Sequence, residues 1–190
     1  MKKIYFTFVL LIMLSQPSFA VENSSSDGKN HSVGVSTGVG SIRTNLHSEK
    51  STSGSIYGIS YTYQYDSTWA INAGYIHGDG FDFCIITCLP DDEMNNLRVS
   101  DYNSFILNIK GSLPLSNRWS VFGKVGIDYY KSEFSKGYRA SMKDSGMGAL
   151  LATGLEFRTY NGFGVAIEYM WLDMGDIYSA TLMTNITYLF

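Results

Sequence analysis

The sequence predicts an all-β fold, an eight-stranded antiparallel transmembrane β-barrel, and three observations predict it. The chain alternates to its last residue: Ala180, Leu182, Ile186, Tyr188 and Phe190 share one face, and Thr181, Met183, Asn185 and Thr187 the other, with Thr184 the polar exception in the first row. The composition is rich in aromatics (15%) and glycine (19 residues) but holds only 3 prolines and 16% charged residues, which suits a small barrel. Charged side chains keep to one parity of the alternating segments, so a register slip of one residue would turn them all toward lipid.

Before the first strand, Lys2 and Lys3 precede an apolar run from Ile4 to Leu14, and Ser18-Phe19-Ala20 forms a small-x-small site. This reads as a secretory signal peptide over residues 1–20, too short to span a bilayer. The expected mature domain is 21–190. Losing two lysines takes the formal charge from -3 to -5 (-3 - 2). A mildly acidic chain speaks against general nucleic-acid binding. No later apolar run approaches the roughly 18 residues of a membrane helix.

Eight alternating segments follow: His31–Arg43, Gly54–Tyr65, Trp69–His77, Val99–Leu113, Trp119–Tyr130, Ser145–Thr159, Phe163–Trp171 and Ser179–Phe190. The three short connections are Asp66–Thr68, Pro114–Arg118 and Tyr160–Gly162; the four longer ones are Thr44–Ser53, Gly78–Arg98, Lys131–Asp144 and Leu172–Tyr178. Short periplasmic turns and longer extracellular loops are the asymmetry of outer-membrane barrels. The expected location is therefore the bacterial outer membrane, with both termini periplasmic.

The lipid face holds residues such as Tyr57, Ile59, Tyr61, Tyr63, Phe105, Leu107, Ile109, Val125, Ile127, Leu151, Val165, Ile167 and Tyr169. The luminal parity holds Lys110, Lys124, Asp128, Glu156, Arg158 and Glu168 among many Gly, Ser, Thr and Asn residues. Lys or Arg at the lipid midplane costs about 2–4 kcal/mol. Three cations and three anions predict a mutually neutralising structural network, because buried charges need partners. Trp69, Trp119, Phe163 and Phe190 are expected to form one aromatic girdle, and Tyr75, Tyr129 and Trp171 to contribute to the other.

Gly58 through Trp69 resembles the second strand, turn and third-strand start of the Ail/Lom/OmpX family, where a Tyr-rich strand runs into an acidic turn and a Trp. The ending Asn185-Ile186-Thr187-Tyr188-Leu189-Phe190 is similar to the signal read by the barrel-insertion machinery, with Tyr188 and Phe190 as its recognised residues. That signal usually has Gly where this chain has Asn185 and a polar residue where it has Met183. Glu168-Tyr169-Met170-Trp171 with Gly175-Asp176, and Lys110 through Pro114, are similar to the membrane domain of the OmpA family. The chain stops at the barrel, without the periplasmic domain of full OmpA-type proteins, which favours the Ail/OmpX side. That resemblance implies a monomeric surface protein of adhesion, invasion or serum resistance, acting through its loops on a host cell surface or matrix protein. The OmpA likeness implies instead a non-catalytic structural barrel for envelope integrity. A lipid A-modifying barrel enzyme is a minor alternative: it needs a nucleophile and a base in reach, and His31, His47 and His77 lie in no recognisable triad.

The loop from Gly78 holds the only cysteines, Cys84 and Cys88. An oxidising compartment predicts a disulfide between them. Two cysteines and His77 are too few for a zinc site, and the acidic residues there match no calcium-loop spacing, so neither a metal nor another cofactor is expected. Phe81, Phe83, Ile85 and Ile86 suggest a contact surface, with packing on neighbouring loops as the equal alternative. Lys136, Arg139 and Lys143 form a basic counterpart, suited to lipopolysaccharide phosphates or sulfated glycans or to pairing with the acidic loop. The outer-membrane lipids themselves are the remaining partner.

Overall fold

The computed structural model describes residues 28–44, 51–80, 97–136, 139–175 and 177–190. The signal peptide, Cys84, Cys88, Phe81, Phe83, Ile85 and Ile86 lie outside these residues. Eight strands close into one antiparallel barrel, each paired with its sequence neighbours and the last with the first. They are β1 (His31–Thr44), β2 (Ser51–Gln64), β3 (Trp69–Gly80), β4 (Leu97–Pro114), β5 (Trp119–Lys136), β6 (Arg139–Arg158), β7 (Phe163–Met174) and β8 (Ile177–Leu189).

Three tight turns and both strand termini lie at one end, the turn end. In the first, Asp66 Oδ1 accepts the backbone N–H groups of Thr68 and Trp69, both at 2.7 Å. Ser116 Oγ does the same for Trp119 at 3.2 Å. Gly162, at φ 90°, turns the third where a side chain would be strained. These side-chain acceptors satisfy turn amides and fix where β3 and β5 begin. His31 and Phe190 exchange backbone hydrogen bonds (2.7 and 3.2 Å), which closes the β1–β8 seam.

The register is staggered. Starting at Val33 and stepping through Tyr61, Ala73, Leu107, Ile127, Ala149, Asp173 and Tyr178 returns to Arg43. The advance is ten residues (43 - 33) over eight strands. Such shear tilts the strands and leaves an interior that side chains just fill. Outward positions from Val33 to Ile186 are exposed apolar residues, including Ile59, Leu107, Ile127 and Ile167, as a lipid-facing band requires.

Two expected loops are corrected. Lys131–Asp144 is not a loop: β5 runs to Lys136 and β6 starts at Arg139, so Lys131 and Lys143 lie in strands and Lys136 pairs with Arg139 at the hairpin tip. Alternation signals a strand only where one face is apolar, and here Lys131, Glu133 and Lys143 put charges on the outward parity. Leu172–Tyr178 shrinks to a tight turn at Gly175, whose φ of 71° is left-handed.

Candidate functional site

In the turn half of the lumen, Glu156 binds two cations, Lys110 Nζ and Arg158 Nη2, each at 2.5 Å. Glu168 accepts from Lys124 Nζ at 2.7 Å and Asn185 Nδ2 at 3.0 Å. The two acids come from β6 and β7 and reach lysines on β4 and β5, more than forty residues earlier in each case (|i−j| 46 and 44). Lys110 and Lys124 sit directly opposite each other in register, with the Phe122 ring 4.5 and 5.3 Å from their ammonium groups. Asn108 donates to Asn72 at 3.0 Å, and Asn72 to Thr62 at 2.7 Å. A cavity of about 30 Å³ opens among these side chains.

Asp128 does not join them. It lies further toward the loop end, where Ser104 Oγ donates to Oδ2 at 3.0 Å and Oδ1 has no hydrogen-bond partner among the described residues. The expected balance of six charges is therefore corrected. The turn-half cluster holds three cations and two carboxylates, a sum of +1 (3 - 2). Parity tells which face a residue takes; the stagger decides its height, and height separates Asp128 from the lysines.

Beyond Asp128, the loop half of the lumen is mainly apolar, with a few buried hydroxyls. Ile42, Ile56, Ile76, Tyr102, Leu150 and Leu172 are each at most 3% exposed and belong to one cluster with Met170, Met174, Ile177 and Met183. This plug is not among the expectations drawn from the glycines and charges of the luminal parity. The available signal was that luminal positions turn large and apolar toward the loop end of nearly every strand. Gly78 makes room for the Tyr102 ring, against which a Cβ would collide. The Tyr102 hydroxyl meets Ser179 Oγ at 3.3 Å, and Ser179 meets Thr181 at 3.1 Å, so the polar atoms inside the plug have partners.

Outside the barrel at the loop end, His77 contacts Asp79 at 2.8 Å and Asn103 at 2.8 Å. Asp79, Asp101, Glu133 and Lys143 form a row across β3 to β6, and Lys143 pairs with Glu133 at 2.5 Å. The wall is uneven. β4, β5 and β6 have 18, 18 and 20 residues, against 12 and 13 in β7 and β8. β7 pairs with β6 only from Ala149 onward. Among the described residues, β6 from Arg139 to Gly148 thus presents an unpartnered strand edge beside the β7–β8 turn.

Tyr188 and Phe190, the residues expected to be read by the insertion machinery, lie at the turn end of β8. Tyr188 packs its ring 4.9 Å from Phe163, and Phe190 stacks on His31 at 6.1 Å. The two departures from the usual signal are both luminal: Asn185 bonds Glu168 and Met183 fills the plug.

A closed barrel with an apolar belt and a filled interior defines a small outer-membrane protein. The model of the outer membrane protein beta-barrel domain matches residues 6–190, and the chain belongs to that family. No curated protein matches the chain. Among solved structures, Ail, the attachment invasion locus protein of Yersinia pestis, is 14% identical with a TM-score of 0.59, over 85% of this chain and 99% of that one. Ail in complex with the heparin analogue sucrose octasulfate matches at 16% identity and a TM-score of 0.56, over the same shares. Neisserial surface protein A is 11% identical with a TM-score of 0.66, over 84% and 97%. The N-terminal barrel domain of Pseudomonas aeruginosa OprF is 12% identical with a TM-score of 0.53, over 84% and 99%. The shared feature is the fold, that of small outer-membrane barrels of the Ail/OmpX/OmpA type.

Proposed function

We propose that this protein is a non-catalytic surface barrel of the adhesin, invasin or serum-resistance kind, binding host-cell or matrix ligands at its loop end. The observation that carries the reading is the raised β4–β6 wall, whose β6 edge is unpartnered among the described residues. An open edge with unpaired backbone groups is a template for an added strand. The apolar plug supports a scaffold over a conduit, since side chains fill so narrow a barrel. Ligand binding then falls to the rim.

In this reading the turn end and both termini face the periplasm, and the raised wall faces outward among lipopolysaccharide headgroups. Residues 1–20 direct export and are removed. Tyr188 and Phe190 engage the insertion machinery before β1 closes on β8. Cys84 and Cys88 are bridged, and Phe81, Phe83, Ile85 and Ile86 add an apolar contact to the same rim. The barrel acts as a monomer without cofactor. Ail's complex with a heparin analogue makes a sulfated glycan the first ligand to try, because Lys131, Lys136, Arg139 and Lys143 all fall on the raised hairpin.

The test is adhesion of a non-adherent bacterium carrying the protein, measured against an empty vector and in the presence of soluble heparin. The parent should adhere, and replacing Lys136, Arg139 and Lys143 by Ser should weaken adhesion and its heparin sensitivity while the unboiled gel shift stays the same. A parent that never exceeds the vector across several cell types and matrix proteins would hand the case to a purely structural barrel.

A further inference from the structure

The charged chamber in the turn half has a property that neither scaffold nor rim explains. Two lysines stand directly opposite each other on β4 and β5, an arrangement that is destabilising in a sheet. With Arg158 they outnumber Glu156 and Glu168 by one charge. Each ammonium carries three donors. Lys110 gives one to Glu156 and Lys124 one to Glu168, and among the described residues neither has a second acceptor. Arg158 has a planar fork of five donors, of which Nη2 serves Glu156. Both acids are nearly buried, at 5% and 4% side-chain exposure; the two lysines are 14% exposed and Arg158, nearest the turn end, 30%. An unbalanced charge in such a site is costly unless something pairs it.

The cavity lies among these donors. Its volume of about 30 Å³ exceeds the roughly 10–15 Å³ that one water needs, and its wall carries Lys110, Lys124, Arg158 and the Phe122 ring alongside the Glu156 and Glu168 carboxylates that these cations already pair. We infer that this chamber is a binding site for a small inorganic monoanion of chloride size, held between Lys110, Lys124 and Arg158. One such ion brings the cluster to zero charge, accepts the idle N–H donors and screens the two lysines from each other. Binding links barrel stability to the halide concentration at the turn end. The inference is independent of what the rim binds.

Chloride is the probe. Purified barrel in an uncharged detergent is compared at constant ionic strength in sodium chloride and in sodium gluconate, whose anion is too large for the cavity. At about ten times its dissociation constant, a ligand specific to the folded state raises the folded-to-unfolded ratio about tenfold. Urea unfolding should show that gain for chloride over gluconate, saturating with concentration. The ³⁵Cl resonance should broaden with the parent, and this excess width should vanish in Arg158→Gln, which removes the surplus charge. Equal unfolding in the two salts would overturn the site. So would ³⁵Cl broadening of the same size in Arg158→Gln, which would mark surface ions only. If that variant does not fold, the saturable chloride-against-gluconate difference in the parent decides alone.

Discussion

In the turn half of the barrel, Glu156 and Glu168 reach across the lumen to lysines and an arginine. In the loop half, Ile42, Ile56, Ile76, Leu150 and Leu172 meet one another with no charge among them. The same eight strands build both, yet the halves are held by different physics. Ion pairs are directional and must be matched at one height, so each depends on register around several strands. Apolar packing asks only for volume and tolerates exchange of shape. The pairing half lies where strand ends are pinned by tight turns, and the packing half where the strands lengthen unequally toward the rim. A plug indifferent to exact partners lets the rim vary without opening the lumen.

This contrast gives a graded set of expectations, each read as a urea unfolding midpoint of the refolded barrel. The largest effect should come from the pairing half. Lys124→Met alone leaves Glu168 buried without its cation and should cost about 3–5 kcal/mol. The double change Lys124→Met with Glu168→Met should recover most of that loss, as an apolar substitute for a buried pair often does. No recovery in the double variant would mean the charges do more than satisfy each other.

In the packing half, Leu172→Ala removes a side chain with no exposed surface and should cost about 2–5 kcal/mol. A second change at Leu150 should then cost less or more than its own single value, since both belong to one cluster and neighbours are not additive. Strict additivity would argue against a continuous plug.

Smaller still is Ser104→Ala, which strips Asp128 of its hydroxyl donor and should cost about 1–3 kcal/mol. Lys143→Ala on the outer wall is the smallest. Its pair with Glu133 is well exposed, at 73% and 40%, and exposed pairs contribute little, so the midpoint should not move. A clear shift there would show that the raised hairpin is coupled to the barrel below it.

Much of the fold was legible in the chain. Turn residues such as Asp66 and Gly162, and the aromatics that follow them, mark the starts of β3 and β7, because local acceptors and φ preferences act without tertiary help. The parity of Leu107, Ile127 and Ile167 was equally plain, since lipid demands an uninterrupted apolar face. The upper strands were not legible: Lys131, Glu133 and Lys143 put charges on the outward parity, so the apolar-polar alternation that marks the lower strands is lost. Nor was the placement of Asp128, which shares a face with Lys124 only four residues earlier. Four residues along a strand are two luminal layers, and the ten-residue stagger, spread over eight strands, tilts those layers, so height cannot be read from one strand alone. The plug was hidden for a similar reason, because Ile42, Ile76 and Leu172 lie far apart in sequence and meet only once the register is known.

Planar-bilayer recording of the purified parent tests the division of the lumen most directly. With insertion verified independently, the plug should keep the membrane silent under applied voltage, although the turn-half chamber is polar. A steady, reproducible conductance from the parent protein would contradict the account.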